Sequence, residues 1–440
     1  MDSSLESWQK EVIRCIRCGA CQNVCPVFKE LQAESTVARG RVKLIRGVIS
    51  KDLDLTDGFI DKMSLCLMCK ACVVNCPSGV KVDKLVEAAR KEIAKKKGLS
   101  PLKMLIFRLV LKNRWVFNAG MRTGRIFQGL VFRKGSNGQG MLPRMSLGID
   151  KRRLLSPLAQ KPFKSMYPEV VKVPEATMRI AFFTGCMINY IYTDTGRAVI
   201  NVLNQNGVEV VIPSLQNCCG TPVRINGDYE TAKTMAKANI DVFLKEKVDA
   251  VVVACGTCGL SLKEEYAELL KDDPNYVEKA KKLGSMVKDF TELVVSLEGF
   301  EGKMGRLPVK VTYHDPCHLI RGLKVKEQPR QIIRSIPGVI FEEMTKADTC
   351  CGSGGSFSLY HYELSTKIND HKVESVHKTG AEILATGCSA CRMHIEDGLN
   401  RQGNPVKVMH TAQLLEMAYQ AGANPSPVKH DKGKGRKNLE

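Results

Sequence analysis

Two cysteine quartets with the same internal spacing constrain the fold of this chain more than any other feature. The first quartet is Cys15, Cys18, Cys21 and Cys25, and the second quartet, 51 residues further on, is Cys66, Cys69, Cys72 and Cys76. A proline follows the fourth cysteine of each quartet. Three thiolates spaced by two residues can surround one corner of a four-iron cluster, so the duplicated pattern predicts two 4Fe-4S clusters. Structural zinc is the alternative, but zinc sites usually pair two Cys-x2-Cys units across a longer gap.

The proline-flanked cysteine of each quartet is expected to bind the other cluster, as in two-cluster ferredoxins. One cluster would then be held by Cys15, Cys18, Cys21 and Cys76, and the other by Cys66, Cys69, Cys72 and Cys25. Between the quartets, apolar residues recur at helical spacing from Ser35 to Ile49. Residues 1–95 are therefore predicted to form a mostly helical two-cluster ferredoxin domain.

The other ten of the 18 cysteines form a second duplicated pattern. The first set is Cys186, Cys218, Cys219, Cys255 and Cys258, and the second set is Cys317, Cys350, Cys351, Cys388 and Cys391. Several of these cysteines follow strand-like runs, which are residues 179–183, 208–212, 248–253 and 381–385. Helical patterns come after the cysteines, at residues 229–243 and 360–376. Two α/β lobes, residues 178–305 and 306–424, are therefore predicted, each with its cysteines at the carboxyl ends of parallel strands.

Together, the two quartets and the two repeated sets of five resemble the iron-sulfur subunit of glycolate oxidase and its relatives, over Cys15 to about Met409. Similar architecture occurs in the third subunit of anaerobic glycerol-3-phosphate dehydrogenase and in heterodisulfide reductases. The resemblance implies an α+β multi-domain chain, in which a mostly helical ferredoxin domain precedes two duplicated α/β cysteine-rich lobes. It also implies that each set of five can hold a further four-iron cluster of a non-cubane type, with the adjacent cysteines of the set supplying bridging thiolates.

Three other interpretations of the two sets remain open. A zinc ion could replace the cluster in one lobe, although five cysteines exceed the four ligands of tetrahedral zinc. Cys255 and Cys258 could form a thioredoxin-like dithiol before a helix, but this leaves the other members of the first set unexplained. Disulfides are disfavoured because a chain without a secretory leader is expected to stay in a reducing compartment.

Polar residues surround Cys317 in the sequence Tyr-His-Asp-Pro-Cys-His. His314, Asp315 and His318 could relay protons to a cluster. The favoured interpretation is simpler: Asp315 caps the following helix, and the two histidines orient the loop. The glycines that follow Cys351 match no phosphate-binding fingerprint, and close backbone approach to a cluster explains them better.

Positive charge is concentrated in one segment. The chain of 440 residues has 66 Lys and Arg against 46 Asp and Glu, a formal charge of +20. Between Arg90 and Arg153 there are seventeen basic and two acidic residues, so this segment carries fifteen of those charges. Residues 96–177 are therefore predicted to be a basic linker, in which residues 102–117 form an amphipathic helix that docks on anionic lipid or a partner subunit. Nucleic acid is the least favoured partner because no recognition motif is present.

A cytoplasmic protein is expected, with contact limited to the inner face of a membrane, because neither a leader nor a spanning segment is evident. Residues 425–440 are rich in Pro, Gly and Lys, which predicts a disordered tail.

No flavin or nicotinamide fingerprint is present, so no catalytic residue is assigned, and the cysteines are predicted to carry single electrons. The resemblance implies a separate FAD subunit that oxidises glycolate or lactate, and a quinone or another acceptor that receives the electrons. Two alternatives stay open: a heterodisulfide-reductase-like catalyst that cleaves a disulfide, and a cluster-dependent assembly scaffold without redox function.

Overall fold

The computed structural model describes residues 5–135, 140–145 and 148–423. The tail predicted to be disordered, residues 425–440, lies outside the described residues. Helices and several β-sheets are both present, which confirms the predicted α+β class. No described helix is both long enough and apolar enough to cross a lipid bilayer.

The described residues of the part that carries the quartets form helices joined by loops, and no strand. Its α-helices are Gln9–Val12, Ala20–Val24, Pro26–Leu31, Ala38–Ile49, Asp57–Ser64, Ala71–Val74 and Val82–Lys97, with 3-10 turns at Leu5–Trp8 and Glu34–Thr36. The helix predicted from Ser35 thus begins three residues later, after a 3-10 turn. Apolar side chains of these helices form one buried cluster, against which Cys15, Cys21, Cys66, Cys72 and Cys76 pack.

The duplication of the quartets extends to the backbone conformation of their loops. Arg17 and Met68 occupy equivalent positions, and both are left-handed, with φ of 58° and 56°. Gly19 and Lys70 are also equivalent, with φ of 88° and 60°. A non-glycine residue rarely adopts this conformation. Both loops therefore follow the same uncommon backbone path.

The helix predicted over residues 102–117 is wrong in its extent. An α-turn at Pro101–Met104 continues as a π-helix at Leu105–Leu111, and a separate α-helix runs from Arg114 to Val131. Asn113 interrupts them because its extended backbone leaves the helix, and its side chain accepts hydrogen bonds from the amides of Trp115 and Val116. An N-cap of this kind begins a new helix, so the apolar pattern spans two helices.

Two short strands, β1 (Phe132–Lys134) and β2 (Met141–Pro143), form an antiparallel pair after these helices. A five-stranded sheet follows, with strands β3 (Val170–Val171), β4 (Met178–Phe183), β5 (Val208–Val211), β6 (Ala250–Val253) and β7 (Val287–Asp289). Its order is β3-β5-β4-β6-β7, and all pairs except β3 with β5 are parallel. Ile180 and Phe182 pack on one side and Ala181 and Phe183 on the other, so both faces are buried, as expected of a parallel sheet.

The second sheet repeats this arrangement with strands β8 (Lys310–His314), β9 (Ile340–Phe341), β10 (Ile383–Thr386) and β11 (Lys407–His410). Its order is β11-β10-β8-β9, and all its pairs are parallel. The first sheet has the same order when β4 to β7 are matched with β8 to β11. The strands predicted before Cys255 and Cys388 each begin two residues later than expected, at Ala250 and Ile383.

Helices connect and cover the strands of the two sheets. The α-helices are Gly185–Tyr190, Thr193–Gln205, Thr221–Arg224, Tyr229–Lys245, Gly256–Leu260, Tyr266–Leu269, Val277–Met286, Phe290–Val295, Glu327–Ser335, Phe357–Tyr360, Tyr362–His377, Ser389–Arg401 and Thr411–Ala423. Two 3-10 turns, Phe163–Ser165 and Phe300–Lys303, and two π-helices, Ser261–Glu265 and Leu319–Leu323, complete the set of described helices. The helix predicted over residues 360–376 is divided at His361.

Buried polar contacts attach the helical part to the lobe that carries the first sheet. Arg224 lies between Glu87 of the helix Val82–Lys97 and Glu265 beside the first sheet, and all three side chains are nearly inaccessible to solvent. Arg90 donates hydrogen bonds to the carbonyls of Met63 and Cys66 and to that of Ile225. These contacts hold the second quartet against the first lobe.

Candidate metal centres

Each quartet contributes its fourth cysteine to the neighbourhood of the other quartet. One cavity is lined by Cys15, Cys18, Cys21 and Cys76, and also by Cys72. A second cavity is lined by Cys25, Cys66, Cys69 and Cys72. Cys76 does not line the second cavity, and Cys25 does not line the first. The chain therefore brings together the two groups of four that cross-ligation requires.

Cationic side chains lie beside both groups of four. Burial raises the pKa of Cys25, and the guanidinium of Arg41 opposes this rise. The same two causes act on Cys21, where Arg39 is the opposing cation. Arg41 is 2% exposed. A buried cation beside thiols stabilises the anionic thiolate form, which is the form that binds metal.

Cross-ligation predicts which cluster each cysteine variant will disturb. Cys76→Ser should change the electron paramagnetic resonance signal of the cluster assigned to Cys15, Cys18 and Cys21, because the serine removes one of its four thiolates. Cys69→Ser should change the other signal. If both variants alter the same signal, the assignment is wrong; Cys21→Ser provides the matched control, since it should reproduce the effect of Cys76→Ser.

All five cysteines of the first set converge after the carboxyl ends of β4, β5 and β6. Their thiols are in contact in the order Cys186, Cys218, Cys219, Cys258 and Cys255. Hydrogen bonds from Cys218 and Cys258 hold the pKa of Cys219 well below its usual range despite its burial. Adjacent parallel strands end at one edge of the sheet, and this edge is where open α/β sheets bind their ligands.

The second set repeats this convergence after β8, β9 and β10. Its thiols are in contact in the equivalent order Cys317, Cys350, Cys351, Cys391 and Cys388. Hydrogen bonds from Cys350 and Cys391 hold the pKa of Cys351 well below its usual range. Five converging sulfurs exceed the four ligands of a tetrahedral zinc ion, so the donor set of each site fits an iron-sulfur cluster.

The two sets also contact each other. The sulfur atoms of Cys255 and Cys388 lie 4.0 Å apart. Beside them, the amide of Gly256 donates to the carbonyl of Gly387 at 3.1 Å. The Cys-x2-Cys segments of the two sheets therefore meet face to face, and Cys255 does not occupy the isolated, exposed position that a thioredoxin-like dithiol requires.

The second quartet contacts the second set of five cysteines. A hydrogen bond to the thiol of Cys350, together with burial, raises the pKa of Cys69 well above its usual value. His318 holds this junction, because its Nε2 lies 3.2 Å from the carbonyl oxygen of Met68. Arg321 donates to the carbonyl of Cys69 at 3.2 Å. The contact between Cys69 and Cys350 joins residues 281 positions apart, and the spacing of the cysteines in the sequence did not predict it.

The residues around Cys317 differ from their predicted roles. Asp315 caps no helix; its carboxylate accepts two hydrogen bonds from Arg330, at 2.9 and 2.8 Å, and both side chains are buried. His318 orients the loop, as the simpler interpretation proposed, through Met68 and through Thr257 at 3.1 Å. His314 is completely buried, and burial lowers its pKa to about 3. A group with that pKa stays neutral near neutrality and does not carry protons.

Lys372 is a residue near the second set that the sequence did not single out. Its ammonium donates to the carbonyls of Lys346 and Ala347, and burial lowers its pKa to about 8. The charge faces Cys350 and Cys351, which oppose this lowering. A lysine in an amphipathic helix is normally expected on the exposed face. The burial of Lys372 is therefore evident only in the tertiary structure.

Comparison with protein families assigns the class of protein. A 4Fe-4S dicluster domain matches residues 11–80, and a cysteine-rich domain matches twice, at residues 180–263 and 311–396. The chain is thus an iron-sulfur protein with a ferredoxin-type module and two cysteine-rich repeats. It is 33% identical over 424 residues to the "Probable glycolate oxidase iron-sulfur subunit" of Bacillus subtilis, covering 92% of this chain and 93% of that protein. The chain belongs to the family of glycolate oxidase iron-sulfur subunits.

Other proteins match most of the chain or part of it. A fumarate reductase (CoM/CoB) subunit of Methanothermobacter marburgensis is 29% identical, over 93% of this chain and 73% of that protein. "Lactate utilization protein A" of Halalkalibacterium halodurans is 34% identical, over 54% of this chain and 96% of that protein. A hypothetical protein from Helicobacter pylori shares the fold, with a TM-score of 0.51 and 10% identity over 87% of this chain and 68% of its own. The oxidase and reductase relatives are named as redox proteins, which supports an oxidoreductase subunit.

Proposed function

We propose that this chain is the electron-transfer subunit of a flavin-dependent 2-hydroxyacid dehydrogenase, acting on glycolate or lactate. An FAD subunit oxidises the hydroxy acid, and the chain passes the electrons to quinone or another acceptor. The observation that carries this proposal is the series of thiol contacts that runs from Cys69 of the second quartet, through Cys350, to the two sets of five.

Four centres are assigned to the eighteen cysteines. Two 4Fe-4S clusters occupy the quartets within residues 1–95, and one four-iron cluster occupies each set of five, within residues 178–305 and 306–424. Each cluster accepts and donates one electron. Adjacent cysteines within each set, such as Cys218 and Cys219, fit the bridging role expected in a non-cubane cluster.

The spatial order of the centres differs from their order in the sequence. The second quartet contacts the second set through Cys69 and Cys350, and the second set contacts the first set through Cys388 and Cys255. Electrons therefore pass from the quartets to the second lobe, and only then to the first lobe, or in the reverse direction. The first set and the first quartet are the two ends of the route.

The relay proposal predicts that the chain alone will not oxidise a hydroxy acid. Oxidation removes two electrons and two protons, which requires a two-electron acceptor beside a base. The purified chain should keep its cluster absorbance in glycolate or lactate, and the absorbance should bleach once the cognate flavoprotein is added. Anaerobic stopped-flow spectroscopy measures both. Bleaching without flavin would contradict the proposal.

Direct reduction of a disulfide is the second candidate function. The 4.0 Å approach of Cys255 to Cys388 favours it, because two adjacent centres can supply the two electrons that cleavage of one disulfide consumes. Rapid reoxidation of the dithionite-reduced chain by a disulfide, abolished in Cys219→Ala and Cys351→Ala, would support this function over the relay.

A docking surface is formed by the exposed Lys95, Lys96 and Lys97 and by the helical residues 101–131. Leu102, Trp115, Ile126 and Leu130 are largely exposed on it, and in the sequence they lie within the basic segment from Arg90 to Arg153. Exposed apolar side chains among cations suit the surface of an anionic membrane or an acidic face of the FAD subunit. We assign peripheral attachment to this surface.

Electrostatic docking predicts a loss of binding when the end of the helix Val82–Lys97 is reversed in charge. Replacing Lys95, Lys96 and Lys97 with Glu should weaken binding to anionic vesicles or to the flavoprotein in a cosedimentation assay. Replacing the exposed Lys279, Lys281 and Lys282 with Glu is the matched control and should have little effect. Binding unchanged by the first replacement and by high salt would contradict the assignment, because salt screens exposed charges beyond about 8 Å.

A further inference from the structure

A buried imidazole nitrogen beside the second set has no hydrogen-bond partner among the described residues. His314 is the last residue of β8 and is 0% exposed, and its Nε2 is the unpartnered atom. One ring nitrogen of His314 and the sulfur atoms of Cys351 and Cys391 all lie within 4.8 Å of one another. An unpaired polar atom in a fully buried position requires an explanation.

The hydrogen bond of the other ring nitrogen fixes the tautomer. Nδ1 of His314 lies 3.2 Å from the carbonyl oxygen of Ala347, and a carbonyl oxygen only accepts hydrogen bonds. The proton is therefore on Nδ1, and Nε2 carries a lone pair. Histidines that bind metals commonly donate their other ring N–H to a backbone carbonyl, which orients the ring in the same way.

An imidazole lone pair beside two buried sulfur atoms stays without a partner unless a metal ion lies between them. The sulfur atoms of Cys351 and Cys391 contact each other, and both belong to the five cysteines that converge in the second set. A metal ion that binds these sulfurs would also satisfy Nε2. Iron and zinc both accept imidazole together with thiolate ligands.

We propose that His314 binds the metal centre of the second set directly through Nε2, as a sixth donor beside its five cysteines. The inference rests on the second set holding a metal, which the proposed function also requires. The bond forms by donation of the Nε2 lone pair to one metal atom, and no proton or electron is transferred.

The first lobe lacks this donor. Cys186 and Cys317 are equivalent, and the residue three positions before Cys186 is Phe183, the last residue of β4. Phe183 packs with Cys218 and Cys219, as His314 lies beside Cys351. Two duplicated sites therefore differ by one nitrogen ligand. Reduction potentials depend on the ligands of a cluster, so an additional nitrogen donor in one lobe should give the two lobes different potentials.

Pulsed electron paramagnetic resonance of the full chain, labelled with ¹⁵N-histidine, tests the proposal. A paramagnetic state of the second-set cluster should show a directly coupled histidine nitrogen. His314→Phe, which copies the first lobe, should abolish this coupling, whereas His318→Phe, which removes the neighbouring imidazole, should retain it. His314→Cys should keep the iron, lose the nitrogen coupling and lower the potential of the same centre.

Metal analysis and X-ray absorption distinguish the possible metals. With zinc in the second set, the zinc edge should report nitrogen as well as sulfur ligands, and the nitrogen should disappear in His314→Phe. Absence of a coupled or ligating histidine nitrogen in the loaded wild-type chain, or its persistence in His314→Phe, would overturn the inference. A second set without any metal would instead contradict the proposed function.

Discussion

Anaerobically purified chain should contain about sixteen iron atoms, because each of four sites is expected to hold a four-iron cluster. All eighteen cysteines belong to one of the four groups, and each group converges around a shared site or chain of thiol contacts. Colorimetric iron analysis, normalised to protein by amino-acid analysis, gives the number directly.

Lower iron contents identify which centres are absent. About twelve iron atoms with one zinc ion would place zinc in one lobe. About eight iron atoms with substantial zinc would contradict the redox role of both lobes and leave only the ferredoxin-type module as an electron carrier. Cys219→Ala and Cys351→Ala serve as matched variants, because each should reduce the iron of one lobe while leaving the clusters of the quartets intact.

Arg224→Met should destabilise the contact between the ferredoxin-type module and the first sheet by about 3–5 kcal/mol, the usual cost of removing one partner from a buried ion pair. The substitution would leave the carboxylates of Glu87 and Glu265 buried without their shared cation. Burial opposes ionisation of Glu87, yet Arg224 and Lys84 together hold its pKa below the ordinary value. Urea denaturation followed by cluster absorbance and circular dichroism should show an earlier transition.

Two variants separate this effect from a general loss of charge. Arg152→Met removes an exposed arginine that pairs with Asp150 and Glu363, and it should change stability by less than about 1 kcal/mol. Combining Arg224→Met with Glu87→Leu and Glu265→Leu should restore much of the lost stability, since all three charges of the buried triad are then removed together. Equal transitions for Arg224→Met and Arg152→Met would contradict the role of the buried triad.

Fixed spacing made the cysteine motifs recognisable from the sequence. The two quartets and the two sets of five each combine several cysteines at short intervals, and the strands before them are short apolar runs such as that ending at Val253. Chain order and the duplication were sufficient to predict two lobes with cysteines after parallel strands. The ligand assignments themselves stay predictions that the variants of Cys76 and Cys69 test.

Contacts between distant parts of the chain were not predictable in the same way. Asp315 resembled a helix cap because Pro316 follows it, but Arg330 from a later helix competes successfully for both carboxylate oxygens. Asn113 divides the helix predicted over residues 102–117, although the apolar pattern continues past it. In both cases a polar side chain made a specific hydrogen bond that periodicity does not describe.

A comparison of the two lobes in the sequence already distinguishes His314 from its counterpart. Aligning the two lobes on Cys186 and Cys317 places His314 opposite Phe183, at the last residue of equivalent strands. A histidine in place of a phenylalanine at a buried, duplicated position marks a difference between the copies. Its hydrogen bond to Ala347 and its unpaired nitrogen, however, appear only in the folded chain.

The anchoring of the ferredoxin-type module has a kinetic consequence. Arg90 joins Met63 and Cys66 to Ile225, and His318 joins Met68 to the second lobe. Electron carriers on flexible tethers must swing between donor and acceptor, so their turnover slows in viscous solvent. In this chain, these hydrogen bonds attach the ferredoxin-type module directly to the two lobes. Electron transfer between the clusters of this chain should therefore require no domain movement. Its rate should not change when glycerol or sucrose is added.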